Sequence, residues 1–294
     1  MPQELAVQAV VVNYNAAPLL VGCVASLRAA GVPDVVVVDN ASTDGSRRLL
    51  ADADPGARWI DTGANLGYGR AANRGACQSG RPYVLVCNPD LTLDPDAVRI
   101  LVSRLEAEPD LGVIGPRVVN PDGTTYPSAR TFPDLVDSVG HGLLGMVAPG
   151  NRFTRRYRLL DRDDDRPARV GWVSGACFLI RRTVWDALGG FDPAYFMYLE
   201  DVDLCWRAQR AGWAVGYEPT ARVTHVQGVS TDRHPYRMLL AHHRSMWRFA
   251  WRTTAGPKRA ALPLVGAGLA GRVLVAWAAH RFGPSGPPPA RGIP

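Results

Sequence analysis

The sequence predicts an α/β fold, because short apolar runs alternate with helical patterns throughout its first half. The runs at residues 9–12, 35–38 and 83–87 are continuously apolar, as expected for parallel strands that are buried on both faces. Between the first two runs, apolar residues at helical spacing stop at Gly31, a residue type that commonly ends helices. Polar residues follow the strand ends, where open α/β sheets bind their ligands.

Turn and capping residues place the next elements along the chain. Residues 59–60 are predicted as a short strand and residues 71–77 as a helix. Asp94-Pro95 predicts a helix start, with a capping carboxylate and a proline at the first helical position. A strand at residues 112–115 and a hairpin turn at residues 120–123 follow.

The second half of the chain is less regular. Residues 152–169 are charged and aperiodic, which predicts a mobile loop. A strand is predicted at residues 170–180, followed by a helix that Thr183 caps and by an amphipathic helix at residues 201–211. Beyond about residue 257 the composition shifts to Ala, Gly, Leu and Val, and a Pro-rich tail ends the chain.

Length, charge and cysteine content limit the classes of function. At 294 residues and 31.8 kDa, the chain fits one large α/β domain with or without an appendage. The net charge of +6 comes almost wholly from arginine, and without zinc-finger spacing or Lys-rich tracts nucleic-acid binding is not expected. Five scattered cysteines predict reduced, buried thiols in a cytosolic protein. The N-terminal residues lack the pattern of a signal peptide.

Two loops that follow predicted strands are candidate nucleotide sites. In the first, Asp39 is suited to accept the imide N–H of a pyrimidine base, and Asp44 to position the nucleotide. The alternative is an ordinary Asx-rich loop that caps the next helix. In the second, Gly67 permits close backbone approach and Arg70 lies near a helix N-terminus, where phosphate binds. Its alternative is a plain turn beside a solvated arginine.

Asn88-Pro89-Asp90 places one carboxylate at the end of the strand at residues 83–87. A divalent cation bound to a nucleotide diphosphate needs only one or two protein carboxylates, so Asp90 is a candidate ligand for Mg²⁺ or Mn²⁺. His225 is a candidate further ligand. The alternatives are a turn with a capping aspartate and a structural histidine in the core.

Glu200 and Asp201 are adjacent acids between an aromatic stretch and a predicted helix. Such a position indicates raised pKa values and proton transfer, so the pair is expected to supply a general base. The alternative is that these carboxylates serve only the helix dipole. Trp172, Gly175 and Ala176, on the preceding strand, are expected to floor the donor or acceptor pocket, unless Trp172 is simply a core residue.

An ordered series of motifs resembles glycosyltransferase family 2. These motifs follow the family's order over roughly residues 7–230: Val12-Asn13-Tyr14-Asn15, residues 38–46, Asn65-x-Gly67, Asn88-Pro89-Asp90 and Glu200-Asp201-x-Asp203-Leu204-x-Trp206-Arg207. No Gly-x-Gly-x-x-Gly motif is present in the loop at residues 39–46, which argues against a dinucleotide-binding dehydrogenase. Where many family members have Asp-x-Asp, this chain has Asn88-x-Asp90.

The resemblance implies a GT-A fold, in which helices flank a mixed, mostly parallel sheet with a Rossmann-like nucleotide-binding half and a C-terminal helical appendage follows. It implies an inverting displacement with Asp201 as the base and Glu200 beside it. The metal ligands would be Asp90 and His225. The implied nucleotide-sugar-binding residues are Asn13, Asn15, Asp39, Asp44, Asn65, Gly67, Arg70 and Asn88.

The same reasoning divides the chain into three parts. Residues 1–230 are expected to form the catalytic domain, with a nucleotide-sugar half at 1–115 and an acceptor half at 116–230. Residues 231–282 are expected to be a helical, membrane-associating segment, and residues 283–294 a Pro-rich tail.

Within the family, the segments 87–90, 190–192, 198–207 and 242–245 are most similar to bacterial rhamnosyltransferases. This closer resemblance implies dTDP-L-rhamnose as the donor and N-acetylglucosaminyl-diphosphoryl-polyprenol as the acceptor, in cell-wall assembly. The alternatives are a UDP-sugar donor for another glycan, a nucleotidyltransferase, and a non-catalytic sugar-nucleotide-binding scaffold at the membrane. A nucleotidyltransferase usually carries a Gly-rich basic loop, which residues 10–15 lack.

Residues 261–279 are apolar and, at about 1.5 Å per residue, nearly long enough to cross a bilayer. Arg272 lies mid-segment and would cost about 2.5–3.5 kcal/mol at the bilayer centre, so a helix lying on the membrane surface is favoured. We therefore expect a cytoplasmic protein attached peripherally to the inner face of the cell membrane. Packing on the catalytic domain or in an oligomer interface is the alternative.

Overall fold

The computed structural model describes residues 4–132, 165–226 and 235–282. Its strands are β1 (Val7–Asn13), β2 (Asp34–Asp39), β3 (Arg58–Asp61), β4 (Tyr83–Cys87), β5 (Leu91–Leu93), β6 (Leu111–Val119), β7 (Thr125–Tyr126), β8 (Ala129–Arg130), β9 (Ala168–Arg169), β10 (Trp172–Val173), β11 (Cys177–Arg181) and β12 (Ala214–His225). Its helices are α1 (Ala17–Ala29), α2 (Ser46–Ala53), α3 (Tyr68–Ala76), α4 (Ala97–Ala107), α5 (Arg182–Leu188), α6 (Glu200–Arg210), α7 (Pro235–Thr253), a 3₁₀ helix (Gly256–Ala261) and α8 (Leu262–Phe282).

A mixed sheet organises the molecule, with strand order β3-β2-β1-β4-β11-β6-β12-β5. Strands β3, β2, β1 and β4 pair in parallel, as do β6 and β12, whereas β11 runs antiparallel between β4 and β6. Two short strands, β7 and β9, pair with β6 and β12, and β8 pairs with β10 outside the main sheet. The predicted mixed, mostly parallel sheet flanked by helices is confirmed.

Alternation along the strands explains why their sequences are continuously apolar. In β1, Ala9 and Val11 face one core with residues of α1 and α4, whereas Val10 and Val12 face another with residues of α3 and α6. Each fully buried valine or leucine stabilises the fold by about 1.5–3 kcal/mol relative to an exposed one. The sheet therefore holds the loops at its carboxyl edge on a rigid base.

Several predicted boundaries are wrong. The helix predicted at 71–77 begins at Tyr68, because Gly67 at a φ of 86° turns the chain into it. Helix α4 begins at Ala97 rather than at Asp94-Pro95, and the carbonyl of Asp94 accepts the Ala97 N–H. Thr183 is not a cap, because α5 already begins at residue 182. Helix α5 ends at Leu188, and Gly189 follows in the left-handed conformation.

The predicted strand at 170–180 is interrupted. It consists of β10 and β11, and residues 174–176 between them leave the sheet geometry. Residues 168–169, predicted within a mobile loop, instead form β9 against β12. The remainder of that predicted loop up to residue 164 and the tail at 283–294 lie outside the described residues.

The C-terminal helices α7 and α8 form the predicted helical appendage and pack against each other. Within the three described ranges, no helix is both long enough and apolar enough to cross a membrane. All five cysteines are free thiols, and four are buried as expected, whereas Cys77 is exposed.

Candidate active site

The ends of β1 and β2 are joined by polar side chains. The Asn13 amide donates to the Asp39 carboxylate at 2.7 Å and to the Ser42 hydroxyl at 3.1 Å. Asp39 also accepts the Ser42 N–H at 2.8 Å, and both Asn13 and Asp39 are buried. Parallel pairing brings Asn13 opposite Asp39 at the carboxyl edge of the sheet, so the two predicted nucleotide ligands lie together.

Asn15 and Asp44 stabilise the backbone next to this pair. Asn15, at a φ of 52°, accepts the Thr43 N–H on its side-chain oxygen at 2.8 Å. Asp44 accepts the N–H of Ala17 at 2.8 Å and of Ser46 at 3.1 Å, which are the first residues of α1 and α2. Burial opposes ionisation of Asp44, but these hydrogen bonds hold its pKa below the ordinary value. The alternative interpretation, an aspartate that organises helix starts, describes the contacts of Asp44.

Gly67 brings the glycine-bearing loop against an aromatic loop at residues 190–199, which we call the aromatic loop. The Tyr68 N–H donates to the Phe196 carbonyl at 3.0 Å, and a Cβ at position 67 would lie 2.1 Å from that oxygen. Asn65 accepts the Gly67 N–H at 3.0 Å and is exposed. Arg70 is also exposed, and its Nε donates to the Pro193 carbonyl of the aromatic loop at 2.6 Å. This contact makes Arg70 a support of the aromatic loop.

Asn88, Asp90 and His225 converge where β4 ends and β12 ends. His225 Nε2 lies 3.1 Å from Asp90 Oδ1 and 3.3 Å from the Asn88 amide nitrogen. Both Asp90 and His225 are nearly buried, with side-chain exposures of 10% and 11%. The three residues predicted around the metal are therefore brought together by strand order, although 135 positions separate Asp90 from His225.

The contacts of this cluster fit a divalent cation. One imidazole nitrogen cannot both donate to the Asp90 carboxylate and accept from the Asn88 amide, and a cation among the three would relieve that conflict. The buried Nδ1 of His225 has no partner among the described residues. In the described part of the chain, no three His, Cys, Asp or Glu side chains gather into a complete metal site. Further ligands would therefore come from a bound diphosphate and water, as is usual for Mg²⁺.

The interruption between β10 and β11 positions the predicted base. The N–H of Gly175 donates to Asp201 Oδ2 at 2.7 Å, and the carbonyl of Gly175 accepts the Tyr68 hydroxyl at 2.6 Å. The next carbonyl, that of Ala176, accepts the Asn88 N–H at 2.9 Å. A break of three residues thus connects the candidate base to the candidate metal cluster, which explains why a regular strand was the wrong prediction here.

Glu200 and Asp201 are the first two residues of α6, and Glu200 is the more buried of the two. Burial raises the pKa of Asp201, although the N–H groups of Gly175 and Val202 and the charge of Arg130 act in the opposite direction. Burial, and then the charge of Asp201, raise the pKa of Glu200 from 4.5 to about 8. Glu200 is 6% exposed, and its Oε2 has no hydrogen-bond partner among the described residues. The predicted raised pKa values are therefore present in both acids.

Trp172 packs in the core beside this region. Its indole N–H donates to the Thr131 carbonyl at 2.8 Å, and the Arg130 guanidinium lies over its ring at 5.2 Å. Trp172 is 7% exposed and belongs to the core cluster on the α6 side of the sheet. These contacts are those of a core residue, and a role in the floor of the donor or acceptor pocket stays a prediction.

Contacts from α7 to the aromatic loop were missed by the sequence analysis. Arg248 and Arg252 donate to Asp192 at 2.8 and 2.6 Å, and Arg252 also lies 3.2 Å from the fully buried Asp203 of α6. The Ser245 hydroxyl donates to a carbonyl of the aromatic loop at 2.9 Å. The sequence shows basic residues in α7 and acidic residues far earlier in the chain. It does not show which of them form ion pairs.

The chain matches the family described as glycosyl transferase family 2 over residues 8–189. It is 41% identical over 253 residues, 82% of each chain, to an N-acetylglucosaminyl-diphospho-decaprenol L-rhamnosyltransferase of Mycobacterium tuberculosis. It is 29% identical to a low-salt glycan biosynthesis hexosyltransferase of Haloferax volcanii, over 70% of this chain and 63% of that protein.

A mannosyltransferase from Pyrobaculum calidifontis, solved with GDP-Man and Mn²⁺, superimposes with a TM-score of 0.59 at 18% identity, over 96% of this chain and 77% of that chain. At this identity the likeness concerns the fold, and it confirms the GT-A fold. The family match covers more than half of the sequence. The chain therefore belongs to glycosyltransferase family 2 and is a glycosyltransferase.

Proposed function

We propose that the chain is an inverting rhamnosyltransferase. It transfers L-rhamnose from dTDP-L-rhamnose to a hydroxyl of N-acetylglucosamine that is linked through diphosphate to a polyprenol, in cell-wall polysaccharide assembly. The similarity to the mycobacterial enzyme supports the donor sugar and the acceptor. The observation that carries the reaction type is the hydrogen bond of 2.7 Å from the Gly175 N–H to Asp201, because the next residue, Ala176, holds Asn88 through its carbonyl.

The donor would lie across the carboxyl edge of β1, β2 and β4. Asn13 and Asp39 form a buried, hydrogen-bonded pair there, which suits recognition of the thymine base. Asn15, Asn65 and Asp44 would act by shaping the surrounding loops. Gly67 would act in the same way, because its lack of a side chain lets the glycine-bearing loop pack against the aromatic loop.

A divalent cation, Mg²⁺ or Mn²⁺, would be held by Asp90 and His225 with Asn88 beside them. When bound, such an ion offsets the negative charge of the departing nucleoside diphosphate. The protein contributes one carboxylate and one imidazole, and this small number suits an ion that arrives with the donor's phosphates.

Asp201 would act as the general base. Its carboxylate accepts the proton of the acceptor hydroxyl while that oxygen attacks the anomeric carbon of rhamnose. The bond from the anomeric carbon to the phosphate oxygen breaks, and its electron pair leaves with dTDP. A single displacement inverts the anomeric configuration. A raised pKa makes Asp201 a stronger base, and a positioned base contributes about 10²–10⁴ in rate.

The C-terminal helices would attach the enzyme to the inner face of the cell membrane. Residues 235–282 contain eight arginine or lysine residues and no aspartate or glutamate, which leaves 25 basic and 27 acidic residues elsewhere. Exposed apolar side chains also lie on these helices, at Trp247, Trp251, Leu264 and Leu274. A basic and aromatic surface binds anionic lipid headgroups, where a polyprenyl-linked acceptor resides.

The testing experiment is sugar transfer by the purified protein to a polyprenyl-diphosphate-linked N-acetylglucosamine. We expect product from dTDP-rhamnose but not from UDP-linked sugars, and a loss of about 10²-fold or more in Asp201→Asn with dTDP binding retained. Product from a UDP-sugar would replace the proposed donor. Binding of dTDP without transfer from any donor would favour the scaffold, and unchanged turnover in Asp201→Asn would exclude Asp201 as the base.

A further inference from the structure

Two histidines of α7 and an arginine of α8 form a cluster that the proposed reaction has not used. The imidazole rings of His242 and His243 lie 5.9 Å apart, and we call them, with Arg272, the His–Arg cluster. Burial lowers the pKa of His242 to about 4, and the nearby His243 and Arg272 contribute further. Burial also lowers the pKa of His243, again with a contribution from Arg272. Helices α7 and α8 pack against each other with the Trp247 ring beside Gly266, and this packing brings Arg272 toward His242 and His243.

One nitrogen of the His243 ring is hydrogen-bonded, and the other has no hydrogen-bond partner among the described residues. Its Nδ1 donates to the Leu239 carbonyl at 2.8 Å, because a carbonyl can only accept. Its Nε2 is buried and has no hydrogen-bond partner among the described residues, and the whole residue is only 5% exposed. Buried polar atoms in folded proteins are nearly always satisfied, so an orphan nitrogen of this kind marks a place for a bound group.

The cluster lies against the loop that ends at the candidate base. The edge of the His242 ring contacts Tyr198 at 5.2 Å between ring centres, and Tyr198 precedes Asp201 by three residues. Tyr198 and Leu199 both have left-handed backbone conformations, with φ of 68° and 62°. Non-glycine residues in this conformation are strained, and such strain concentrates at functional sites. Trp247, one helical turn after His243, and Leu274, two residues after Arg272, are exposed apolar side chains of the same two helices.

The charge around the cluster is positive and uncompensated. Helices α7 and α8 contain no acidic residue, and within the described chain no carboxylate forms an ion pair with Arg272, which is exposed. A guanidinium without a carboxylate, beside two imidazoles, is chemistry that recognises phosphate. The cluster is therefore suited to a diphosphate.

We propose that the His–Arg cluster is the subsite for the diphosphate of the lipid-linked acceptor. This inference rests on the proposed function, because it assigns one part of that acceptor. Its position places the three parts of the acceptor in order: the sugar hydroxyl at Asp201, the diphosphate at His243 and Arg272, and the lipid chain at the exposed apolar side chains. The same charges could instead meet phosphates of membrane lipids, so the test separates these sources.

The test uses the full-length protein and calorimetric titration of geranyl diphosphate, which has the diphosphate and a short prenyl chain but no sugar. Arg272→Gln is the main variant, because an exposed side chain can be replaced without disturbing packing. His243→Asn is the second variant. The control is Arg99→Gln, which removes one positive charge from an exposed arginine of α4. Titration of dTDP on every variant measures the donor site separately.

We expect at least about a tenfold loss of affinity for geranyl diphosphate in Arg272→Gln and His243→Asn, with unchanged affinity for dTDP and no change in Arg99→Gln. Unchanged binding of geranyl diphosphate in Arg272→Gln would overturn the proposal. The proposal would also be overturned if Arg272→Gln weakened only sedimentation with phosphatidylglycerol vesicles, because Arg272 would then contact membrane lipids. Because this readout needs no sugar transfer, an inactive wild-type protein that still binds geranyl diphosphate would refute the proposed reaction and leave the subsite supported.

Discussion

Replacing Glu200 with glutamine tests the electrostatics of the site through stability. The carboxyl of Glu200 has a pKa of about 8 in the folded protein, against 4.5 for the ordinary group. Below pH 4.5 the group is protonated in both the folded and unfolded states, so it does not affect stability. Between pH 4.5 and 8 only the folded state holds the proton, and the free energy of unfolding falls as the pH rises.

The magnitude follows from the two pKa values. At about 1.4 kcal/mol for each unit, ionisation of buried Glu200 removes up to roughly 5 kcal/mol of stability above pH 8. Glutamine cannot ionise, so Glu200→Gln should match the wild type near pH 4.5 and exceed it increasingly toward pH 9.

The assay is urea unfolding at pH 5 to 9, with Glu106→Gln as the control at an exposed glutamate of α4. We expect the pH slope to become much smaller in Glu200→Gln and to persist in the control. An unchanged slope in Glu200→Gln would show that Glu200 is ionised in the folded protein, and the burial argument would then be wrong.

Three further substitutions test the contacts around the site. Gly67→Ala should lose about 3 kcal/mol of stability in thermal unfolding, because its Cβ would lie 2.1 Å from a backbone carbonyl oxygen at a φ of 86°. Gly63→Ala is its control, with a φ of 75° and no atom within 4 Å, and should lose clearly less. Asp90→Asn should weaken Mn²⁺ binding in the presence of dTDP by about tenfold in calorimetry, whereas the exposed Asp94→Asn should leave it unchanged. Arg252→Gln should lower kcat by a larger factor than it changes the KM for the donor. It should also cost about 1 kcal/mol of stability, because it breaks partly exposed ion pairs to Asp192 and Asp203. Equal changes in kcat and KM would contradict a role in positioning the aromatic loop.

The sequence predicts the first half of the fold well because each strand there is buried on both faces. Such strands are continuously apolar, and the end of β4 at residue 87 coincides with its prediction. Helix starts were less predictable, since the residue before α3 is a glycine whose fit depends on the Phe196 carbonyl. Contacts between distant segments determine that boundary, and local sequence patterns do not contain them.

The candidate site shows the same division. Asp39, Asp90 and Asp201 lie at or near strand or helix ends, so residue type and position alone made them candidates. The interruption at residues 174–176 could not be, because the residues on both sides of it are mostly apolar like those of a strand, and the hydrogen bond from the Gly175 N–H to Asp201 joins residues 26 positions apart. Arg252 was missed for a related reason, since both of its partners lie more than 45 residues earlier in the chain.

The C-terminal helix α7 also contacts the segment that carries the candidate base, Asp201. Arg252 of α7 is shared between Asp192, at the start of the aromatic loop, and Asp203, which lies two residues after the base. Asp203 is fully buried and is also held by Arg207 at 2.7 Å, so its position fixes the first turn of α6. In the proposed membrane-attached enzyme, α7 would both rest on the lipid surface and hold that turn, and would therefore set the orientation of Asp201 relative to the membrane. The acceptor's sugar is attached to that surface through its diphosphate, so the same helix would determine both where the acceptor lies and where its proton goes.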